Sequence, residues 1–571
     1  MKFVFTLLLV SFLYNSYSQE TEVKNYIGET SYIEILGEKQ EGKHTHQTPI
    51  GKYWIYFTDK DASVFSIHRP AEFLSQRSID RRLKHNIGLS EQDIPVNENY
   101  VQQIEYAGGE IIVKSRWLNA VSAEIFSENQ LSIISQLPFV KEITPVRKYI
   151  ANIEEPIPVN SNMLRTSGDA VSFYGASANQ FTMINGDFLH NLGYRGKDMV
   201  IAVIDAGFIG VDNGAGYQSL WQKEQVLDVH NFPDNNKSVY ISSYHGTWVL
   251  GIMAADIPGT YVGSAPDAQY YLFRSEVSDS ERVAEEDFWL AAAEQADFVG
   301  ADIINSSLGY TEFDDSTENH TYADMDGNTT IVTKAADWAA SKGILVCNSA
   351  GNEGDSEWNF IGAPADGDSV FSIGAVDNLA NYASFSSNGP TFDGRVKPNI
   401  AVQGSNFPIV NPDGTVGFGG GTSFASPLAA GAAACLWQAF PEKTNMEIMD
   451  AMQKSASQFT NPDTLLGYGI PDMALAYMNL LGAPTESEVD LLNAFTLNDE
   501  IYIIIYSSIP DNTTFYLYDV SGKKILEQEL QQSDISYNAL RIEAATSLAP
   551  GVYILTVDLN GKFENKKIFI R

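Results

Sequence analysis

The stretch MVIAVIDAG, residues 199–207, is uncharged up to its aspartate and rich in β-branched side chains. Two later stretches, ADIINSSLG (301–309) and GILVCNSAG (343–351), also contain an apolar run that ends in small polar residues and glycine. Continuous apolar runs, unlike alternating ones, are typical of strands buried on both faces of a parallel sheet with helical crossovers. We therefore expect a doubly wound α/β domain over residues 155–480.

Polar residues with catalytic chemistry occur where these predicted strands end. Functional groups of a doubly wound sheet gather at the carboxyl ends of its strands, and Asp205, Ser307 and Asn352 occupy such positions. The segments YHGTWVLGIMAA and GTSFASP place His245 and Ser423 at the starts of predicted helices. Ser423 alone fits two roles, a helix cap or a nucleophile, because helix starts favour serine caps and also stabilise anions.

A serine hydroxyl is a poor nucleophile at neutral pH. It needs an imidazole within hydrogen-bond reach and a carboxylate that holds the imidazole in one tautomer. Ser423, His245 and Asp205 supply these groups, and the side-chain amide of Asn352 could donate to an oxyanion beside the Ser423 N–H. Each residue taken singly also fits a structural role, but the complete set predicts an acyl-transfer site.

The order and flanking residues of these motifs resemble the subtilisin-like serine proteases. Asp205 lies in Val-Ile-Asp-Ala-Gly, His245 in His-Gly-Thr-x-Val-x-Gly, Asn352 in Ala-Gly-Asn-Glu-Gly and Ser423 in Gly-Thr-Ser-x-Ala-Ser-Pro. The similarity extends over residues 195–475. It implies the subtilisin-like fold, hydrolysis of peptide bonds in protein or peptide substrates, and no required cofactor.

The resemblance also implies where a substrate would bind. The backbone of Ser307, Leu308 and Gly309 would pair with an extended peptide as an added strand, which provides affinity without demanding a sequence. Ala350 and Gly351 would line the primary specificity pocket.

The chain departs from the commonest family pattern beside these motifs. The replaced positions are Trp248, Phe424 and the pair Leu428 and Ala429. None of them supplies a proton or a charge to the reaction, so they bear on substrate fit. Residues 353–363 do not align clearly with the family, which leaves the floor of the specificity pocket unassigned. Pro427, in the helix that Ser423 opens, forfeits about one ladder hydrogen bond at most.

The first 150 residues of the chain predict export and a separate domain. Residues 1–18 read as a secretory signal peptide, with one lysine, a short apolar run and small residues before the expected cut. No later run is long enough for an ordinary membrane span. Residues 19–150 mix strand-like and helical patterns and resemble the inhibitory α+β propeptide of such proteases, with cleavage expected between about 150 and 180. A permanent substrate-recognition domain is the alternative.

The carboxyl-terminal region begins with a linker, residues 481–490, that lacks periodicity. Residues 491–571 alternate aromatic and β-branched residues with turn signals, which predicts an antiparallel β-sandwich. The stretches LYDVSGKKIL and LAPGVYILTV resemble the sorting domain of type IX secretion, so the secretion machinery is an expected partner. The protein would then be extracellular or on the outer cell surface. A carbohydrate-binding or adhesive sandwich is the competing interpretation.

Composition excludes some partners and leaves other questions open. The 36 Lys and Arg against 72 Asp and Glu give a net charge of -36, which disfavours nucleic acid and anionic lipid. Whether Cys347 and Cys435 meet is left open. The acidic loop 311–328 could hold a structural calcium ion or be simply solvated, and no metal ligands are assigned. A catalytically silent binding scaffold is the alternative to an enzyme.

Overall fold

The computed structural model describes most of the chain outside its two ends. The described ranges are residues 49–61, 63–146, 173–277, 284–314, 316–481, 492–497, 500–505, 514–529, 539–542, 548–549, 551–559 and 562–570. The predicted signal peptide, most of the predicted cleavage region and nearly all of the 481–490 linker lie outside these ranges.

The N-terminal domain is a four-stranded antiparallel sheet of order β2-β3-β1-β4 with helices on one face. Its elements are β1 (Gly51–Phe57), α1 (Gln76–Lys84), α2 (Glu98–Tyr106), β2 (Glu110–Ser115), β3 (Ala120–Ile125), α3 (Glu128–Ser135) and β4 (Val140–Val146). Ile55 of β1 packs with Ile104 of α2 and Ile134 of α3 in one apolar cluster. The neighbouring Trp54 points to the other face and packs against the next domain. Because successive side chains of a strand point to opposite faces, both faces of this sheet are buried.

The central domain is built on a seven-stranded parallel sheet of order β13-β12-β11-β10-β5-β9-β6. Its strands are β5 (Val200–Asp205), β6 (Val226–Asn231), β9 (Gln269–Arg274), β10 (Ile303–Ser306), β11 (Leu345–Ser349), β12 (Val370–Val376) and β13 (Ile400–Gln403). Short antiparallel pairs are β7 (Asp256–Ile257) with β8 (Tyr261–Val262) and β14 (Phe407–Val410) with β15 (Val416–Gly419). The strand order reverses between β5 and β10, which makes their carboxyl ends the place where a site is expected.

Helices cover both faces of this sheet. They are α4 (Ala178–Thr182), α5 (Gly186–Asn191), α6 (Gln218–Gln222), α7 (His245–Ala254), α8 (Ala284–Val299), α9 (Ile331–Ser341), α10 (Thr422–Ala439), α11 (Asn445–Lys454) and α12 (Met473–Leu480). Ile201 and Val203 of β5 pack in the cluster that contains α7 and α10, whereas Ala202 and Ile204 pack with α8 and α9. The apolar run of β5 is therefore continuous because both of its faces are buried. The doubly wound α/β prediction is confirmed.

Helix α10 runs through the centre of the domain, and its small residues allow close packing. Gly431 lies against Ser264, so a Cβ placed on Gly431 would come within 2.0 Å of the Ser264 Oγ atom. Cys347 and Cys435 are free and buried, so they do not form a disulfide.

The C-terminal region contains two antiparallel sheets, of order β16-β17-β20 and β19-β18-β21-β22. Their strands are β16 (Leu492–Leu497), β17 (Glu500–Ile505), β18 (Thr514–Asp519), β19 (Lys524–Glu529), β20 (Ala539–Ile542), β21 (Gly551–Leu559) and β22 (Lys562–Ile570). Phe515 and Leu517 are buried at 0–1% exposure and alternate with half-buried neighbours along β18. The prediction of antiparallel strands in this region is confirmed.

Replacing Gly431 with valine is expected to destabilise the protein, because the added side chain would collide with Ser264 in a core without spare room. Overpacking of this kind costs about 1–3 kcal/mol. Gly88→Val is a suitable control, since a Cβ at Gly88 meets no atom within 4 Å. Urea unfolding followed by tryptophan fluorescence should show a lower midpoint for Gly431→Val alone. Equal midpoints for the two variants would contradict the packing described for α10.

Candidate active site

The acid and the base lie at the carboxyl end of β5. Asp205 is the last residue of that strand and is fully buried, and His245 is the first residue of α7. The Nδ1 atom of His245 lies 2.8 Å from Oδ1 of Asp205, which also accepts the Ala206 N–H at 2.7 Å. Gly246 allows this approach, because a Cβ there would come within 2.5 Å of the Gly207 carbonyl oxygen. The glycine after the histidine is therefore a steric requirement.

The surroundings of His245 set its affinity for a proton. Burial lowers the pKa of His245, but the charge of Asp205, the hydrogen bond to it and the charge of Glu276 together raise that pKa above its ordinary value. The side chain remains 21% exposed. A partly accessible imidazole held by a carboxylate is suited to accept a proton and to remain stable once charged.

The nucleophile candidate Ser423 lies in the first turn of α10. Its Oγ atom donates a hydrogen bond to the Ser307 carbonyl oxygen at 3.2 Å, so in this structure the hydroxyl lies at the end of β10. The ring of Phe424, the next residue, is 6.3 Å from the imidazole ring of His245 between centroids. The residue after Ser423 is therefore stacked near the candidate base. The Ser423 hydroxyl contacts Ser307 rather than the imidazole, and catalytic hydrogen bonds often form only when substrate binds.

Pro427 has a specific effect on this turn. Proline has no N–H, so the Ser423 carbonyl oxygen lacks the helical donor four residues later. The Ser307 hydroxyl fills the gap by donating to that oxygen at 2.9 Å. Two reciprocal hydrogen bonds therefore join Ser307 to Ser423. Together they hold Ser423 against the end of β10.

Asn352 is held with its amide group directed at the same turn. Its Oδ1 atom accepts the Thr422 N–H at 2.8 Å and the Thr422 hydroxyl at 2.9 Å. These bonds use the oxygen and leave the Nδ2 group available as a donor. A Cβ placed on Gly421 would lie 3.6 Å from that Nδ2 and 3.7 Å from the Ser423 nitrogen, so both donors border one small space. Gly421 has a φ of +150°, a conformation that favours glycine.

The predicted substrate-contact residues also lie around this crevice. Ser307, Leu308 and Gly309 follow β10, and the side chain of Asn348 donates to the Leu308 carbonyl oxygen at 2.9 Å. A Cβ on Gly309 would meet only one atom, the Ala363 carbonyl oxygen at 3.9 Å, so the space beside this residue is open.

The segment that the sequence left unassigned crosses the far side of the crevice. The Gly362 N–H donates to the Ala350 carbonyl oxygen at 3.3 Å, and the Tyr310 N–H donates to the Ala363 carbonyl oxygen at 2.8 Å. Residues 353–363 therefore connect the ends of β10 and β11, and Ala350 with Gly351 lies on one side of the space between them.

Glu276 is a neighbour of the site that the sequence analysis did not single out. It follows β9, next to β5, and its Oε1 atom accepts the hydroxyls of Ser275 and Tyr310 at 2.7 Å each. Burial and the charge of Asp205 raise the pKa of Glu276, against the opposing effect of its hydrogen bonds. Its position just beyond the YYLF run was a usable signal, because acids at the carboxyl ends of neighbouring strands meet at one edge.

The acidic loop 311–328 does not form a metal centre in the described residues. Its carboxylates accept hydrogen bonds from their own turns: Asp324 from the Thr321 N–H at 2.7 Å, and Asp326 from the Asn328 N–H at 2.8 Å. Across the described part of the chain, no cluster of three His, Cys, Asp or Glu side chains could hold a metal ion.

Three family models match separate regions of the chain. The model of the subtilase family matches residues 196–469, that of the peptidase S8 propeptide domain of Bacteroidota matches 52–160, and that of a secretion system C-terminal sorting domain matches 497–571. In the described residues no helix combines the length and apolarity needed to cross a bilayer.

Several characterised proteins are similar to the central region. Subtilisin E of Bacillus subtilis is 32% identical over 288 residues, which are 49% of this chain and 66% of that protein. The subtilisin of Bacillus pumilus is 31% identical over 284 residues, 48% of this chain and 90% of that protein. Fervidolysin from Fervidobacterium pennivorans, described as a keratinolytic enzyme related to subtilisin, has a TM-score of 0.54 at 18% identity. That likeness covers 94% of this chain and 78% of fervidolysin, and it supports the fold.

The chain belongs to the subtilase family, and the predicted enzyme class, a subtilisin-type serine endopeptidase, is confirmed. It carries a propeptide domain at its amino end and a type IX sorting domain at its carboxyl end. The sorting domain indicates a protein that is secreted or held at the cell surface.

Glu276→Gln is expected to move the acidic limb of the pH–rate profile to lower pH. The negative charge of Glu276 raises the pKa of His245, and the histidine acts as a base only when neutral. Removing that charge lowers the pKa of His245, so activity should persist to more acidic pH. The measurement is kcat/KM for a chromogenic peptide between pH 5 and 9, with the exposed residue Glu224 changed to Gln as control. An unchanged limb, or a shift to higher pH, would rule out the coupling.

Proposed function

We propose that this protein is an exported serine endopeptidase that cleaves peptide bonds through Ser423, His245 and Asp205. The observation that carries the proposal is the 2.8 Å contact between His245 Nδ1 and the buried Asp205, beside the helix start that holds Ser423. Because Nδ1 donates to Asp205, the Nε2 atom of the imidazole is the nitrogen left to accept a proton.

The first chemical step forms an acyl-enzyme. The Ser423 hydroxyl leaves its contact with the Ser307 carbonyl oxygen and attacks the substrate carbonyl carbon, while the His245 Nε2 atom takes the hydroxyl proton. Asp205 stabilises the imidazolium. When the tetrahedral intermediate collapses, His245 gives the proton to the departing amine and the peptide C–N bond breaks. Water then attacks the ester carbonyl of the acyl-enzyme while His245 takes its proton. The ester bond to Ser423 breaks, and the carboxylic acid is released.

Two donors stabilise the negative oxygen of the intermediate. They are the Nδ2 group of Asn352 and the backbone N–H of Ser423, which border the same space next to Gly421. The Ser423 N–H lies at a helix start, where the unpaired amides and the helix dipole favour negative charge. Thr422 fixes the amide of Asn352 in advance, so little reorganisation is needed during the reaction.

The substrate is a polypeptide in extended form. Ser307, Leu308 and Gly309 would pair with its backbone as an added strand. Ala350 and Gly351 would line the pocket for the side chain before the scissile bond. The open space beside Gly309 and the connection through residues 353–363 support this placement.

The N-terminal domain would act as a propeptide that is cut away between about residues 150 and 180. Its strand β4 ends at Val146, which packs in the same apolar cluster as Tyr310. A permanent recognition domain would remain attached to the active enzyme.

Ser423→Ala is expected to reduce the hydrolysis of casein by about 10⁴-fold or more, a magnitude for triad losses that was measured in serine proteases, including the relative subtilisin. A serine-directed phosphonate should label Ser423 in the parent protein and should fail to label His245→Ala. The exposed serine in Ser341→Ala serves as control and should leave labelling and activity unchanged. A silent scaffold would stay unlabelled, and unaltered casein hydrolysis by Ser423→Ala would exclude the proposed mechanism.

Asn352→Leu removes one oxyanion donor and is expected to lower kcat about 10²–10³-fold with little change in KM. That range was measured for the equivalent donor of subtilisin, the relative of this chain. Steady-state kinetics on a chromogenic peptide give both constants. A rise in KM at constant kcat would assign Asn352 to ground-state binding instead.

A further inference from the structure

Helix α8 of the central domain ends in an acidic residue, Asp297, whose ion-pair partners are arginines of the N-terminal domain. Asp297 lies in the last turn of α8, which contains no basic residue. A negative charge at a helix C-terminus is unfavourable, because the helix dipole is negative there. Asp297 is nevertheless fully buried, and it is covered by the N-terminal domain.

Three arginines of the N-terminal domain converge on this carboxylate. Arg81 reaches Oδ1 of Asp297 at 2.6 Å, Arg82 reaches Oδ2 at 2.7 Å, and Arg116 reaches Oδ2 at 2.6 Å. The side chains of these arginines are only 1–3% exposed. Burial raises the pKa of Asp297, but the three positive charges outweigh that effect and lower it below its ordinary value. The carboxylate is therefore charged. The three arginines that contact it belong to the other domain, and Lys342 of the central domain adds a smaller effect of the same sign.

The same domain also satisfies backbone carbonyl groups at the end of α8. Arg116 donates to the Glu294 carbonyl oxygen at 3.0 Å, and the Ser75 N–H donates to the Phe298 carbonyl oxygen at 3.0 Å. Arg77 donates to the Gly300 carbonyl oxygen at 3.0 Å, and Arg81 donates to that of Ala301. Of these carbonyls, that of Phe298 lies among the last four of the helix, which have no partner within it, and those of Gly300 and Ala301 lie in the turn that follows. The N-terminal domain thus caps a helix of the central domain.

The surface that receives these groups is shaped for close approach. A Cβ on Gly300 would come within 2.6 Å of the Ser78 nitrogen, and a Cβ on Gly343 within 2.8 Å of the Ile87 side chain. The segment involved, residues 70–96, is here named the arginine arm, and it contains helix α1. Lys60 ties the arm to the loop of Arg116 by donating to the carbonyl oxygens of Ile94 at 2.6 Å and Arg116 at 2.8 Å.

The capped helix end lies away from the catalytic crevice. Asp302, which pairs with Arg77, precedes β10, whereas the triad candidates gather where β5 and β10 end. The arginine arm therefore contacts the opposite edge of the sheet, and its contacts do not depend on an occupied cleft.

We propose that the end of α8 and the turn after it form a binding surface for the arginine arm, which holds the propeptide on the central domain after the connecting chain is cut. The partner that fits this surface is a helix with adjacent arginines at positions 81 and 82. The proposal rests on the proposed function only in assuming that the cut takes place.

Retention of the cut propeptide tests the proposal directly. The full chain with Arg81→Gln and Arg82→Gln should, after self-processing, lose its propeptide at least tenfold faster on gel filtration than the parent. Arg69→Gln, a change to an arginine of the same domain that is 58% exposed and pairs with Glu72, should behave like the parent. Equal retention in the double variant and the parent would overturn the proposal.

Hydrogen exchange on the uncut chain separates this proposal from the enzymatic one. In the Ser423→Ala background, the two Gln substitutions should reduce amide protection at residues 298–302 at least tenfold and leave β12 unchanged. This readout needs no proteolysis, so a chain that never cuts itself would refute the proposed function but still test the cap. Unchanged protection at residues 298–302 would refute the cap.

Two further variants distinguish a specific contact from general damage. The variant with Arg81→Lys and Arg82→Lys keeps the positive charges but removes the forked geometry of arginine, so retention of the propeptide should be intermediate. If the Gln variant does not fold, the Lys variant tests the proposal in its place. Asp297→Asn should lose retention as the Gln variant does, and combining the two should add little, because both remove one interaction. Fully additive losses would assign the residues to separate structural roles.

Discussion

The pairing of β5 with both of its neighbours is the constraint on which the site depends. In the sheet, Asp205 pairs with Arg274 of β9, and Ile204 pairs with Ser306 of β10. Successive side chains of a strand point to opposite faces, so a shift by one residue in either ladder would turn the carboxylate of Asp205 away from His245. Backbone hydrogen bonds in a sheet buried on both faces thus determine where the acid meets the base and where the Ser307 carbonyl meets the nucleophile.

Local patterns were sufficient to predict the parallel sheet and the placement of the principal candidates. A run such as that of β5 is apolar at every position only if both faces are covered, and the rule on strand ends then puts Asp205, Ser307 and Asn352 at one edge. The antiparallel C-terminal strands followed from alternation and turns. The calcium possibility rested on the composition of one loop, and it stays a prediction; two carboxylates of that loop, Asp324 and Asp326, accept hydrogen bonds from its own backbone.

The features of the site and of the domain contact that could not be predicted from the sequence depend on contacts between distant residues. The cluster on Asp297 joins residues more than 170 positions apart, and an arginine pair on an amphipathic helix looks like a solvated face when read alone. Glu276 was missed although its position after β9 was a usable signal, because two of the groups that act on it, Tyr310 and Asp205, are distant in the chain. The Ser307 hydroxyl donates to the Ser423 carbonyl oxygen, which Pro427 leaves without its helical donor, and no single motif reveals this contact.

The cap on α8 has a consequence for the electrostatics of the separated central domain. Asp287, Glu294, Asp297 and Asp302 now face lysine, arginine or backbone donors of the N-terminal domain. If that domain dissociates, these four carboxylates become exposed to water and dissolved cations. Ionic strength would then screen them as it does any surface charge. Recapture of a released propeptide would compete with the counter-ion atmosphere of the medium into which the protein is exported.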